Sequence, residues 1–302
     1  MVMKRICFLV AFSVLALSAK PQLLYEVSGN GLEHPSYILG TLHFADASFL
    51  DSIPGLYDAF DNVEQVCGEI EFSKVNHYAV ALKSYRINRL PSGMELSDCF
   101  TPEEFEEVAA YFLEHFNMDL ADSLQYNSVR MFSPAVLTSS LEKEMIYKVF
   151  PTIKGGNLID EHMQIMAVNA GKDVAGLESW EAQLDALSVA SGNWEFVKKM
   201  LLAYMRSLEG AEEEWRAMSS AYMRQDIDDL EKALVANKEG EYGCPQEAFD
   251  AVFKERNLNW VGKMPGIMDE KPTLFVVGAG HLVGDSNVLS LLEEAGYDVR
   301  AY

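Results

Sequence analysis

Four short apolar runs in this chain each pass through glycine or a small residue and end on a titratable side chain. Tyr37-Ile38-Leu39-Gly40-Thr41-Leu42 runs into His43, and Val66-Cys67-Gly68 runs into Glu69, with Glu71 two residues on. Val174-Ala175-Gly176-Leu177 runs into Glu178, and Leu274-Phe275-Val276-Val277 runs through Gly278-Ala279-Gly280 into His281. Continuous apolar runs of this length read as strands buried on both faces, which is how parallel strands are built. Aligned in parallel in one sheet, they deliver His, Glu, Glu and His to its carboxyl edge, where open α/β sheets hold their ligands.

The remaining pattern fits such a sheet. Leu23 to Val27 and Tyr37 to His43 are strand-like, and the turn-forming Ser28-Gly29-Asn30-Gly31 between them predicts a hairpin. Asp51-Ser52-Ile53-Pro54 predicts a helix start, and a strand is expected from Glu64 to Phe72, carrying Glu69 and Glu71 on one face. Thr101-Pro102-Glu103-Glu104 combines a capping threonine, a first-turn proline and a capping-box glutamate. Phe105, Val108, Ala109 and Phe112 then repeat at helical spacing. Further helices are predicted at about 74–89, 130–147, 157–171, 179–190, 193–208, 210–223, 245–263 and 286–295, with strands at 173–178, 273–277 and 297–301. The expectation is an α/β fold: a central mostly parallel or mixed sheet flanked by helices, with a large helical middle section.

Lys4 and Arg5 precede the apolar run Ile6 to Leu17, which ends on Ser18 and Ala19. That order predicts a cleaved export signal over residues 1–19, followed by a single domain over 20–302, in a periplasmic or extracellular protein. No later segment is long and apolar enough to span a membrane. The formal charge of −22 becomes more negative still without Lys4 and Arg5, which argues against nucleic acid as a partner. It favours cationic partners and divalent ions instead. Three cysteines remain, Cys67, Cys99 and Cys244, too widely spaced for a Cys-x-x-Cys metal pattern. They allow one disulfide with a free thiol, or three thiols, and Cys67 reads as a small core residue of its strand.

Taken singly, a histidine or glutamate after a strand is an ordinary loop or helix-start residue. Gathered together, two imidazoles and one or two carboxylates make a site for zinc, manganese or cobalt, with an open position for water and a neighbouring glutamate as base. Gly278-Ala279-Gly280 alone carries no dinucleotide pattern.

Several segments, in order, make the likeness more specific. Tyr37 to His43 and Phe275-Val276-Val277-Gly278-Ala279-Gly280-His281-Leu282-Val283-Gly284 resemble the opening and closing motifs of the TraB/GumN family. Gly68-Glu69-Ile70-Glu71, Gly155-Gly156-Asn157-Leu158-Ile159-Asp160, Val174 to Ser179 with Gln183, and Glu255-Arg256-Asn257 resemble its intervening segments. The family is similar to the Tiki proteins, metal-dependent peptidases that trim secreted signalling proteins, and to bacterial proteins that damp peptide pheromones. It is more distantly similar to erythromycin esterase and ChaN-like folds. The resemblance implies a metal-dependent hydrolase, a peptidase acting on an extracytoplasmic peptide or protein. It makes His43, Glu69 or Glu71, and His281 the metal candidates, and Glu69, Glu178 and Arg256 the catalytic ones. The position of Glu71 is often aspartate in the family, which leaves open which of the two glutamates reaches the site. Asp160 matches a family position and also reads as a helix cap. The ChaN-like relationship supports an alternative, a non-catalytic peptide- or haem-binding protein.

Overall fold

Six strands make one mixed sheet in the computed structural model, which describes residues 22–239 and 243–302. The export segment expected at residues 1–19 lies outside the described residues. The strands are β1 Leu24–Gly29, β2 Ser36–Thr41, β3 Gln65–Gly68, β4 Asp173–Gly176, β5 Thr273–Gly278 and β6 Tyr297–Ala301. Their order is β4-β3-β5-β2-β1-β6. The first four of that order run parallel, with Gly68 opposite both Gly176 and Val276, and Thr41 opposite Gly278. Strands β1 and β6 close the other end in antiparallel pairing.

Every residue of β2 and β5 is buried, as continuous apolar runs predict. Alternate side chains enter different cores. Tyr37, Leu39, Val66, Leu274 and Val276 pack with Ile159, Met163 and Ala167 from the helix Ile159–Asn169. Val27, Ile38, Cys67, Phe275 and Val277 pack on the other face with Trp260, Met264, Met268, Val288 and Leu292. The helical middle section has a third core of its own, in which Leu96, Val108, Phe112, Leu137, Leu141, Met145 and Leu201 are fully enclosed or nearly so. Its helix Pro102–Phe116 starts on the expected reciprocal pair, with Thr101 accepting from the Glu104 amide and Glu104 accepting from the Thr101 amide.

Three local expectations are corrected. Asp51 and Pro54 do not start a helix: residues Ala47–Ser52 form a 3-10 turn capped by Asp46, and the next helix, Leu56–Asp61, begins only after Gly55. Gly55 has φ 75°, a left-handed conformation that glycine adopts without steric cost, so it separates the two pieces. The helix expected at 245–263 is broken into Gln246–Val252 and Lys254–Val261, and Met264–Glu270 follows. Phe253, at φ −109° and ψ −71°, interrupts the first pair, and Pro265 near the start of the third has no amide to continue a preceding helix. The strand expected to reach Phe72 ends at Gly68. Beyond it the Gln164 amide clamps the chain, donating to the Ile70 carbonyl at 2.7 Å and accepting from the Phe72 amide at 3.0 Å. The chain then passes so close to Gly176 that a Cβ there would lie 2.7 Å from the Glu71 nitrogen.

Among the described residues, no helix is long and apolar enough to cross a membrane. Cys67, Cys99 and Cys244 are all free thiols, and burial pushes Cys67 up to about 12, as expected for an inert core residue.

Candidate active site at the carboxyl edge of the sheet

The residues that follow β4, β3, β5 and β2 are Glu178, Glu69, His281 and His43, and they meet in one place. Glu69 Oε1 lies 3.8 Å from His43 Nε2 and 3.7 Å from His281 Nε2. Gly278 makes this approach possible. Its amide donates to Glu69 Oε1 at 2.8 Å, and a Cβ there would stand 3.2 Å from His43 Nε2 and 3.3 Å from Glu69 Oε1. The glycine is therefore needed for space between the two side chains, not for an unusual dihedral angle.

Each histidine is oriented through its other ring nitrogen. His43 Nδ1 donates to Asp160 Oδ2 at 3.0 Å, and Thr41 Oγ1 donates to Asp160 Oδ1 at 2.8 Å. A carboxylate only accepts, so the proton sits on Nδ1 and Nε2 faces Glu69. His281 Nδ1 donates to Asn257 Oδ1 at 2.6 Å, leaving its Nε2 lone pair toward the site. Backing partners of this kind fix the tautomer of metal-binding and catalytic histidines.

Arg256 ties the edge together. Its Nε and Nη2 donate to Glu178 Oε1 at 2.9 and 2.6 Å, and Nη2 also donates to Glu69 Oε2 at 2.6 Å. Gln183 supplies a second donor to Glu69 Oε2 at 2.7 Å. Arg256 Nη1 points into His281 Nε2 at 3.1 Å. The Trp260 ring backs both, 4.6 Å from the guanidinium carbon and 4.4 Å from the His281 ring.

These surroundings split the two histidines. Desolvation of the His43 ring, half exposed as a side chain but with both nitrogens turned to the carboxylates of Asp160 and Glu69, opposes its charge. Asp160, by charge and hydrogen bond, together with Glu69, outweighs this and raises the ring to about 9. Burial dominates at His281, walled by Trp260 and Phe253, and with Arg256 beside it the ring falls to about 3. Burial would raise Glu69, yet the charge of His43, the Arg256 guanidinium and the Gly278 amide hold it down at about 2. The His43 side chain is 52% exposed, whereas those of Glu69 and His281 are each 5% exposed. His43 is thus the member of the set most open to solvent.

The folded His43 value lies above its ordinary 6.5, so its contribution to stability is complete below pH 6.5 and is lost as pH climbs through about 9. An NMR titration of metal-stripped protein is expected to place its midpoint near 9. Asp160→Asn is expected to bring that midpoint down, and an ordinary midpoint in the unsubstituted protein would contradict this picture.

The structure brings His43, Glu69, Glu178, Arg256 and His281 together and leaves Glu71 out. With β3 ended at Gly68, Glu71 does not share a face with Glu69; it pairs with Lys74 at 2.6 Å and accepts from Ser73 at 2.8 Å. Of the two glutamates it is Glu69 that reaches the histidines. Asp160 is not a cap either, because the helix Ile159–Asn169 begins without a side-chain cap and Asp160 is buried against His43 and Thr41. Asn257 and Gln183 were visible only as neighbours in matching segments, and nothing in their spacing indicated contact with His281 and Glu69.

The donor set suits a divalent ion: two imidazole nitrogens and a carboxylate oxygen, each backed on its far side. Donors bound at about 2.1 Å in a tetrahedral site lie within about 3.4 Å of one another, against 3.8 and 3.7 Å from Glu69 Oε1 to His43 Nε2 and His281 Nε2. Among the described residues no group of three or more His, Cys, Asp or Glu side chains is arranged to hold a metal ion. Arg256 also holds the His281 lone pair that an ion would use.

Two open clefts flank Glu178. One, of about 550 Å³, is lined by Glu71, Lys74, Trp180 and Lys263; the other, of about 400 Å³, by Ala182, Ala186, Ala251, Glu255 and Arg256.

The TraB/PrgY/gumN family matches the chain over residues 23–301. No curated protein and no solved structure matches it.

Proposed function

We propose, from the premise that the chain belongs to the TraB/PrgY/gumN family, that it is an exported metal-dependent hydrolase, a peptidase acting on an extracytoplasmic peptide or protein. The observation that carries this reading is geometric: His43 Nε2 and His281 Nε2 lie 3.8 and 3.7 Å from Glu69 Oε1, and each ring is backed through Nδ1, by Asp160 and by Asn257. Asp160 and Glu69 also favour positive charge at His43, which a proton or a divalent ion at Nε2 would supply.

His43 Nε2, Glu69 Oε1 and His281 Nε2 are the atoms that would hold the ion, and zinc, manganese or cobalt suits such donors. Bound there, such an ion would supply a water acidic enough to act as nucleophile near neutral pH. The chain's own residues supply the rest. Asp160 keeps the His43 proton on Nδ1, and Asn257 does the same for His281. Glu178, which lines both clefts, would be the residue to accept the proton of the attacking water. Arg256 keeps Glu178 and Glu69 in position and offers N–H groups to negative charge developing on a substrate carbonyl.

A second reading is favoured by one contact. Because Arg256 Nη1 already donates to His281 Nε2 at 3.1 Å, the same residues could hydrolyse without a resident ion, with His43 as base and Arg256 as anion stabiliser. Its cost is that His43, protonated up to about pH 9, would act as a base only in alkaline solution.

Elemental analysis of purified protein separates the two. The metal-dependent reading expects about one equivalent of zinc, manganese or cobalt in the wild type and loss of it in both His43→Ala and His281→Ala. Metal content unchanged by both substitutions would rule out this donor set.

A further inference from the structure

The helix His77–Ile87 has no buried residue. Tyr78, Leu82 and Tyr85, spaced to share one helical face, are 78%, 38% and 41% exposed. Phe72, just ahead of the helix, is also exposed. A contiguous apolar and aromatic strip left open to water is an unusual feature of a folded surface and marks interaction sites.

Its charge is as unusual as its exposure. In a chain of net charge −22, the stretch from Phe72 to Met94 contains Lys74, Lys83, Arg86 and Arg89 and no aspartate or glutamate. Lys74 and Lys83 are paired, with Glu71 and Asp185, each at 2.6 Å. Arg86 and Arg89 have no carboxylate partner among the described residues, and Arg89 lies over the Tyr85 ring at 5.9 Å. Tyrosine and arginine on one exposed strip are the side chains that most often dominate binding energy at interfaces.

The strip is continuous with the candidate site. The chain leaves Glu69, lines the larger cleft with Glu71 and Lys74, and then enters this helix. The helix rests on Trp180–Ser191, where Lys83 Nζ donates to the Glu181 carbonyl at 2.8 Å, and Trp180 and Glu181 line that same cleft.

We propose that the Tyr78–Leu82–Tyr85 face, with Arg86 and Arg89, is a docking site for the polypeptide substrate, taking an extended segment of apolar or aromatic residues flanked by carboxylates and leading it into the cleft beside Glu178. The proposal rests on the peptidase reading for the identity of its ligand. Self-association through this face would set Arg86 and Arg89 against their own copies. An anionic bilayer is a broad surface that the net negative charge repels, whereas a peptide need engage only a strip within the screening length of about 8 Å.

The test uses a dansyl-labelled dodecapeptide of Glu-Glu-Phe repeats, followed by fluorescence anisotropy with the full chain in EDTA. Wild type and His43→Ala are expected to bind it equally. Tyr78→Ser/Leu82→Ser, and separately Arg86→Glu, are expected to weaken binding about tenfold or more with unchanged thermal midpoints, since all three side chains are solvent-exposed. Undiminished binding by both variants overturns the proposal. So does loss of binding in His43→Ala, which would put the peptide at the catalytic edge alone. Co-sedimentation with phosphatidylglycerol vesicles that the substitutions abolish, while peptide binding is untouched, overturns it in favour of a membrane surface. Binding that depends on this face in a protein showing no hydrolysis upholds the docking site and overturns the peptidase reading.

Discussion

Arg256→Ala is expected to destabilise the fold by about 3–5 kcal/mol, because it removes the guanidinium shared by two buried carboxylates. The Glu69 and Glu178 side chains are 5% and 3% exposed, and both take N–H groups from Arg256 Nη2 at 2.6 Å. Gln183 and the Gly278 amide would still serve Glu69, but Glu178 would lose both bonds to Oε1. The loss of packing adds to this, since the guanidinium lies against Trp260. Urea unfolding of metal-free protein measures the effect. A midpoint shift worth less than about 1 kcal/mol would mean that the carboxylates are not held by this arginine. Adding Glu178→Gln to Arg256→Ala is expected to recover part of the loss, because one uncompensated charge is then gone.

His43→Ala is expected to lower peptide cleavage to the level of chelated protein, because it removes one of the three atoms proposed to hold the ion and with it the activated water. It is the set's solvent-accessible member, with Nδ1 committed to Asp160 and Nε2 turned to the shared space at Glu69. Without His43, Asp160 keeps its bond from Thr41, and Glu69 keeps those from Arg256, Gln183 and Gly278, so the ring's stabilising charge is lost but the effect on cleavage should appear in kcat more than in KM. Initial rates at saturating peptide measure it. A variant that cleaves within a few-fold of the wild type would remove His43 from the reaction.

The strands that build this edge were legible because burial on both faces leaves uninterrupted apolar runs, as in Leu274 to Val277 and Tyr37 to Leu39. Their parallel alignment brought His43, Glu69, Glu178 and His281 to one edge as that pattern predicts. What the sequence concealed was decided by contacts across long separations. Glu71 sits in alternation with Glu69, and nothing local shows that Gln164, far along the chain, ends the strand between them. Asp160 opens a helix as a cap would, and only the fold places it beside Thr41 and His43. The break at Phe253 likewise lies inside a run whose helix-forming residues give no warning of it. The family likeness identified the matching segments, but hydrogen bonding assigned Asn257 and Gln183 their partners.

The proposed activity depends on a single cation-dependent hydrolytic centre formed by His43, Glu69 and His281. Its most direct test is the rate of cleavage of a mixed peptide library by the purified protein, before chelation, after chelation, and after return of zinc, manganese or cobalt. Cleavage is expected to fall to background on chelation and to return with one of these ions. Cleavage that persists in excess chelator, rising only as His43 loses its proton near pH 9, would contradict it.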